Sequence, residues 1–260
     1  MLRAATNKDI PALIQEQNSY AGITNKILSK KVNKICVAYD GMEKFFPKEK
    51  IILTGNPVRQ DVVEITNKKT EALSYFKLDG TKKTVLVVGG SLGAKAINEA
   101  IGNGLSEFAK NNIQLVWQTG KIYFETAKKQ TADLESKNIM VTDFISRMDL
   151  AYAVADVVIS RAGAGAISEL CLVEKPCILV PLPTAAEDHQ TKNAMALVNK
   201  QAAIIVKDIE ASRDLLKEVI HLVNDENKQN QLKNNIKQLA FPNSANIIAK
   251  EVLKLANYNL

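Results

Sequence analysis

The chain has 260 residues, of which 46% are hydrophobic and 24% charged, and these values are typical of a globular protein. No apolar run approaches the roughly 20 residues that cross a bilayer, and no charged-then-apolar signal peptide opens the chain. Residues 1–60 hold ten Lys and Arg against five Asp and Glu, which leaves one of the six net positive charges for residues 61–260. This basic part fits an anionic membrane surface or a polyanion, and lysines scattered over a solvated face explain it equally well. No arginine-rich stripe with interleaved aromatics occurs, so nucleic-acid binding is not expected.

The first 56 residues are predicted to be the last part of a domain. The pattern predicts the tail of a helix and then strands and one helix, at residues 2–6, 10–15, 21–30, 34–38 and 51–54. Two or three strands with one helix cannot close a core by themselves, so we expect the beginning of this domain to be absent from the sequence. Gly55 and Pro57 mark a turn, and we interpret residues 57–82 as a linker.

From residue 83 onwards, strands and helices alternate. Strands are predicted at residues 84–88, 113–117, 139–141, 157–160, 176–180 and 203–206. Helices are predicted between most of them, at residues 94–109, 123–131, 147–154, 166–172 and 191–200. Several strands are apolar throughout, which is typical of a parallel sheet covered on both faces. The alternation predicts a doubly wound α/β domain over residues 83–240. Residues 209–255 are predicted to form two or three amphipathic helices, with a C-terminal helix in 241–260.

The segment Arg161–Glu169 is the most informative motif. It follows a predicted strand and opens a helix through a glycine-rich turn, so free backbone N–H groups and a positive helix end coincide and favour phosphate. The Glu169 carboxylate, one turn into that helix, suits a vicinal diol such as a ribose. Phosphate and ribose together suggest a nucleotide. The alternative is a tight turn whose small residues only permit close packing.

A second glycine turn, at residues 89–94, follows the first strand of the same domain. It carries Ser91 but lacks the dinucleotide spacing, the acid at the end of the next strand, and the Gly-Lys-Ser/Thr of a Walker loop. Both turns lie at carboxyl ends of strands, where open α/β sheets bind their ligands. Their co-occurrence favours a nucleotide site over a purely structural turn.

The polar loop at residues 183–193 is a third candidate. Gln190 can bond sugar hydroxyls, and His189 or Asp188 can do acid–base work, although a solvated loop with helix-capping side chains explains the pattern equally well. No Asp-x-Asp pair and no His/Asp/Glu cluster at ligand spacing occurs, so neither a metal nor a cofactor is expected. Cys36, Cys171 and Cys177 are expected to be buried thiols in a reducing compartment.

Taken together, these motifs resemble the MurG family of N-acetylglucosaminyltransferases. The resembling segments are residues 16–18, 21–26, 55–59, 87–94, 118–121, 144–145, 161–169 and 186–193. The resemblance implies an α/β fold of the B-type glycosyltransferase kind, with a complete C-terminal Rossmann-like donor domain and the last part of the N-terminal Rossmann-like domain. It also implies inverting, metal-independent transfer of N-acetylglucosamine from UDP-N-acetylglucosamine to a lipid-linked muramyl-pentapeptide in peptidoglycan synthesis. The implied place is the cytoplasmic face of the inner membrane, with peripheral contact.

Carried over by position, the resemblance assigns a role to each donor-site residue. Glu169 would hold the ribose diol, and Ile145 would meet uracil through its backbone. Gln190 would bind the hydroxyls of the transferred sugar, while Arg59 and Asn18 would reach in from the hinge and the N-terminal side. The diphosphate would be held by Ser91, Ala164, Gly165 and Ala166, with Ile167 and Ser168 completing that stretch.

The sequence departs from the family pattern at three places. Gln15 stands where the family usually has His, and Gly165-Ala166 replaces a Leu-Thr pair, whose lost hydroxyl weakens phosphate contact by about 1 kcal/mol. The family's glycine-rich loop, with the His proposed as general base, does not occur in these 260 residues. No catalytic residue is therefore assigned, and we expect an impaired fragment that binds UDP-sugar weakly and turns over little.

Two other functions remain open at this point. One is the donor-binding subunit of a split glycosyltransferase, whose acceptor domain is a separate chain. The other is a different UDP-sugar enzyme such as a 2-epimerase, although the segments at residues 16–18 and 56–59 argue against it.

Overall fold

The computed structural model describes residues 1–132 and 139–256, which contain two parallel sheets. The smaller sheet has the order β1-β2-β3, with strands β1 Leu13–Glu16, β2 Lys34–Val37 and β3 Ile51–Leu53. Its helices are α1 Leu2–Thr6 and α2 Ile23–Ser29. The first strand begins three residues later than the sequence suggests, because Pro11 has no N–H for the ladder. Ile14, Ile35 and Phe46 belong to a small buried core of this part.

The larger sheet confirms the doubly wound prediction. Its strands are β4 Lys83–Val88, β5 Ile113–Gln118, β6 Ile139–Thr142, β7 Val157–Ser160, β8 Cys177–Leu179 and β9 Ile204–Ile205. They are all parallel and lie in the order β6-β5-β4-β7-β8-β9. The order reverses between β4 and β7, so the crevice above these two strands is the topological switch point at which such sheets bind ligands.

Helices cover both faces of the larger sheet. They are α3 Gln60–Val63, α4 Lys69–Phe76, α5 Lys95–Asn103, α6 Leu105–Lys110, α7 Phe124–Ala132, α8 Met148–Val154, α9 Ala164–Val173, α10 His189–Val198, α11 Ala211–Asn224 and α12 Glu226–Lys237. A further helix, α13 Ser244–Leu255, follows them. Leu86 and Val158 point into one buried cluster, whereas Val85 and Trp117 point into the other. The two buried faces explain why the central strands are apolar throughout.

Two sequence predictions differ from the structure in detail. The helix predicted at residues 94–109 is two helices, α5 and α6, which meet at Gly104. A Cβ at Gly104 would lie 2.6 Å from Leu216 Cδ2, so α11 packs tightly against the break. The segment 57–82, interpreted as a linker, contains α3 and α4, and Ala72 and Phe76 of α4 are buried in the core of the larger unit. The domain boundaries themselves stay a prediction.

The three cysteines are free and buried, as expected. Within residues 1–132 and 139–256, no helix is both long enough and apolar enough to cross a membrane.

Candidate functional site

The two glycine turns lie side by side at the switch point. Val88 at the end of β4 pairs with Ser160 at the end of β7, so the turns that leave these strands share one edge of the sheet. The sequence placed each turn at a strand end, but it could not show that the two strands are neighbours, because 66 residues separate the turns and the strand order is not sequential. Only the fold brings them together.

The turn after β4 is packed against the turn after β5. Gly93 and Gly120 both have positive φ, and a Cβ at Gly120 would lie 2.1 Å from Gly93 N. Lys121 N also donates to Ser91 O over 3.3 Å. These contacts hold Ser91 on the surface, at the rim of the crevice, where its hydroxyl can meet a phosphate.

The amino terminus of α9 presents open N–H groups. Gly163 precedes the helix with no side-chain cap, so the N–H groups of Ala164, Gly165 and Ala166 point out of the first turn. A Cβ at Gly163 or Gly165 would have no protein atom within 4 Å. Close packing inside the chain therefore does not explain these glycines. The geometry favours the interpretation as an anion-binding helix end.

Glu169 lies one turn into α9 and is held by a buried tyrosine. Tyr152 Oη donates to Glu169 Oε2 over 2.8 Å. Burial raises the pKa of Glu169, and the Tyr152 hydrogen bond and the positive charge of Arg59 partly offset this rise. A carboxylate that is half buried next to a phosphate-binding turn can accept hydrogen bonds from a vicinal diol.

The two arginines near the site have different surroundings. Arg59 immediately precedes α3, is exposed and pairs with Asp61, and its charge reaches Glu169. Arg161, the first residue of the main motif, turns inward instead. Its Nη1 donates to Val180 O over 3.0 Å and to Asp208 Oδ1 over 2.5 Å. Arg161 thus links the segments that follow β7, β8 and β9, whereas Arg59 is the arginine whose positive charge acts on Glu169.

Asparagines join the smaller sheet to the site. Asn56 Nδ2 donates to Gln17 O over 3.0 Å and to Ser168 Oγ over 3.1 Å. The Ser168 hydroxyl in turn donates to Ala164 O over 2.9 Å, so it already has partners within the chain. Ser168 therefore supports the first turn of α9, and its predicted contact with the diphosphate stays a prediction.

Asn18 is held by a fully buried asparagine of α10. Asn193 Nδ2 donates to Asn18 Oδ1 over 2.9 Å, and Asn193 Oδ1 accepts from Ser19 N over 2.8 Å. Sequence reasoning assigned no role to Asn193, Asn56 or Tyr152, although the first two lie in segments that carry the resemblance. The sequence gives no clear signal for Asn193, because it follows the polar residues of the first turn of α10 and only its burial distinguishes it.

The remaining predicted residues lie around this centre. Gln190 is in the first turn of α10, and its Oε1 accepts from Leu182 N over 3.0 Å. Ile145 is buried in the core just before α8. His189 Nδ1 lies 2.7 Å from Ala186 O and is not oriented by a carboxylate. Across the described ranges, no group of three or more His, Cys, Asp or Glu side chains is placed to hold a metal ion.

The comparisons with known proteins agree with this geometry. Residues 84–251 match the family model described as glycosyltransferase family 28 C-terminal domain. The UDP-N-acetylglucosamine--N-acetylmuramyl-(pentapeptide) pyrophosphoryl-undecaprenol N-acetylglucosamine transferase of Bacteroides thetaiotaomicron is 56% identical over 98% of this chain and 69% of its own length. The enzyme of that name from Parabacteroides distasonis is 54% identical over 96% of this chain and 68% of its own length.

Solved structures support the same fold. The crystal structure of Acinetobacter baumannii MurG has a TM-score of 0.80 and 30% identity, and the match covers 97% of this chain and 69% of that one. A UDP-GlcNAc 2-epimerase from Neisseria meningitidis reaches a TM-score of 0.64 at 17% identity over 97% of this chain and 72% of that one, which shows the fold alone. The B-type glycosyltransferase fold is thereby confirmed, and the 2-epimerase alternative is not favoured. This chain belongs to the glycosyltransferase 28 family and, within it, to the MurG N-acetylglucosaminyltransferases.

Proposed function

We propose that this protein transfers N-acetylglucosamine from UDP-N-acetylglucosamine to the lipid-linked muramyl-pentapeptide of peptidoglycan synthesis, which converts lipid I to lipid II. The relatives at 54–56% identity carry the name of this reaction. The observation that carries the proposal is the pair of turns at the switch point, with Glu169 on the helix that the second turn opens. This arrangement offers phosphate donors and a diol acceptor within one crevice.

The donor is held by groups that the two turns and α9 supply. The N–H groups of Ala164, Gly165 and Ala166 and the Ser91 hydroxyl bind the diphosphate, and Glu169 binds the ribose. Negative charge develops on the departing UDP during an inverting transfer, and the positive end of α9 is already oriented to stabilise it. We infer a metal-independent reaction because this helix end supplies positive charge where the UDP leaves.

The periphery of the donor site is supplied by the other predicted residues. Ile145 contacts uracil through its backbone, and Gln190 binds hydroxyls of the transferred sugar. Arg59 approaches from the segment that joins the smaller sheet to the donor domain, and Asn18 approaches from the N-terminal side. These roles are supported by the resemblance, by the positive charge of Arg59 near Glu169 and by the hydrogen bond of Asn18 with Asn193 of α10.

Calorimetric titration of the 260-residue protein with UDP tests the donor site. We expect binding that weakens at least about tenfold in E169Q, because hydrogen bonds to a charged group contribute about 1.5–3 kcal/mol. The control variant is E125Q, which changes an exposed glutamate of α7. An absence of heat at about 1 mM UDP with the protein folded would contradict the donor site, as would equal affinity of E169Q and wild type.

We also propose that the protein contacts the membrane surface peripherally, through α2. Ile23 is 63% exposed and Ile27 is 59% exposed, and their i, i+4 spacing places them on one face of this helix. Lys30 and Lys31 follow directly and are exposed. Exposed apolar side chains beside lysines suit an anionic lipid surface, which would hold the enzyme near its lipid-linked acceptor.

Co-sedimentation with phosphatidylglycerol vesicles tests this contact. We expect I23S/I27S to bind these vesicles at least about fivefold more weakly than wild type, since two apolar side chains no longer enter the interface. The matched control is I122S/I209S, because Ile122 is 79% exposed and Ile209 is 88% exposed on the donor domain. Equal loss in both double variants, or no loss in the first, would show that α2 is not the contact.

A further inference from the structure

The buried hydroxyl of Tyr152 has a carboxylate as its hydrogen-bond partner. Tyr152 lies in α8 and is 3% exposed, and its Oη donates to Glu169 Oε2 over 2.8 Å. A buried hydroxyl needs a partner, and here that partner is the acid to which ribose binding is attributed. Tyr152 has no role in the donor site as described above.

This bond makes the two oxygens of Glu169 unequal. Oε2 accepts from Tyr152, whereas Oε1 accepts no hydrogen bond within residues 1–132 and 139–256. A glutamate side chain has several rotatable bonds, so fixing one oxygen through a short hydrogen bond fixes the direction of the other. The phenol also stabilises the ionised carboxylate, which opposes the effect of burial and keeps Glu169 an acceptor.

Tyr152 also joins two parts of the donor site. It shares a buried cluster with Ile145, which precedes α8, and with Ile167 of α9. The segment assigned to uracil and the helix that carries Glu169 therefore share one buried core with Tyr152.

We propose that Tyr152 is a positioning residue for donor recognition, which holds Glu169 Oε2 so that Oε1 is presented to the ribose hydroxyls. The proposal rests on the ribose-binding role of Glu169 in the proposed function. Tyr152 itself does not touch the ligand. Its effect should therefore appear in the discrimination between ribose and deoxyribose, rather than in phosphate binding.

The experiment compares UDP with 2′-deoxy-UDP by calorimetric titration of the whole chain. We expect wild type to prefer UDP about tenfold, and Y152F to reduce this preference to about threefold or less. Y152F should also lose its preference at a higher pH than wild type as the pH is lowered, because Glu169 loses the hydrogen bond that lowers its pKa. The matched control is Y123F, which removes a hydroxyl bonded to Gln130 in the α7 region.

A purely structural role predicts a different pattern. Y152F would then weaken the binding of UDP and of 2′-deoxy-UDP equally and leave the preference intact, and this result overturns the proposal.

The pair E169A and Y152F/E169A gives a second test, in which the Tyr152 hydroxyl is removed from a protein that already lacks its carboxylate partner. We expect the same preference for UDP over 2′-deoxy-UDP in both variants, and a lower preference in the double variant than in E169A also overturns the proposal.

If wild type binds UDP without any preference over 2′-deoxy-UDP, the ribose role of Glu169 fails and this proposal fails with it. If wild type prefers UDP and Y152F keeps that preference, only the Tyr152 proposal fails.

Discussion

Gly120 and Gly165 have different structural roles in the two turns of the site. Gly120 has a φ of +73° and lies against Gly93, so neither its backbone conformation nor its space admits a side chain. Gly165 lies in the first turn of α9 with ordinary helical surroundings and open space above it. The same residue type therefore serves tight packing in one turn and leaves a helix end accessible in the other.

Replacing these two glycines by alanine should have opposite effects on stability. G120A should lower the free energy of unfolding by about 2–4 kcal/mol, because alanine strains the left-handed backbone and its Cβ clashes with Gly93. G165A should raise it by about 0.5–1 kcal/mol, because alanine favours the helix. Urea unfolding monitored by the fluorescence of Trp117, the single tryptophan, measures both.

UDP affinity gives the second measurement for this pair. G165A should bind UDP as wild type does, since the resembling family carries Leu-Thr where this chain has Gly165 and Ala166. If G165A destabilised the protein, the open helix end at Gly165 would be contradicted. If G120A were as stable as wild type, the tight packing at Gly120 would be contradicted.

Among the elements, α4 and α8 are joined by an ionic contact. Arg147 donates to both oxygens of Asp149, over 3.0 Å and 2.9 Å, and Lys68 Nζ donates to Asp149 Oδ2 over 2.8 Å. Asp149 lies in the first turn of α8, where the helix dipole favours its negative charge. Arg147 also reaches Glu71 of α4 over 3.0 Å. These contacts fix the segment between Ile145 and α8 against the rest of the domain.

We expect D149N to lower the free energy of unfolding by about 1–3 kcal/mol at pH 7, because hydrogen bonds to a charged acceptor are lost in a largely buried place. The bonds from Arg147 and Lys68 hold the pKa of Asp149 well below its usual range. Its stabilising effect is therefore complete above the unfolded-state pKa of about 3.9 and disappears as the pH falls through the native pKa.

Urea titrations from pH 7 down to about pH 3 check this prediction. The difference between wild type and D149N should shrink once the pH is below about 4. D214N is the control, since Asp214 also pairs with a neighbouring arginine but on the surface, where an ion pair contributes about 0–1 kcal/mol. A pH-independent difference for D149N would contradict the ionic explanation.

At the scale of the whole molecule, a few polar side chains couple the smaller sheet to the donor domain. Asn56 is 5% exposed, accepts from Gln15 Nε2 over 3.0 Å and donates to Gln17 and Ser168. It thus connects the end of strand β1, the segment after β3 and helix α9. A small sheet with a small core gains stability from such contacts with a larger neighbour.

We expect N56A to loosen the smaller sheet while the larger sheet stays intact, because Gln15 Nε2 and Gln17 O lose their hydrogen bonds to Asn56 and Ser168 Oγ loses a donor. Amide hydrogen exchange should accelerate about tenfold or more in β1–β3, which corresponds to at least about 1.4 kcal/mol, and remain unchanged in β4 and β5. N230A, at an exposed position of α12, is the control. Equal acceleration in both sheets would show that the coupling is not local to Asn56.

The periodic part of this protein could be predicted from local sequence patterns. Apolar runs of parallel strands, the alternation with helices and the glycine turns at strand ends are local patterns, so β4, β5 and β7 were predicted to within one residue. The break at Gly104 and the helices of residues 57–82 were missed, because packing against Leu216 and burial of Phe76 decide them at long range. The candidate residues came from motifs and from a resemblance, and their ligand roles stay predictions.

Which side chains and turns come together in the site depends on the packing of the whole chain. The pairing of β4 with β7 places two turns from distant parts of the chain at one crevice, since strand order in a doubly wound sheet does not follow chain order. The contacts of Asn193 with Asn18, of Asn56 with Ser168 and of Tyr152 with Glu169 are likewise invisible in the sequence, because each joins residues that no local period relates. Local patterns specify elements through backbone geometry, whereas a binding site requires the packing that brings those elements together.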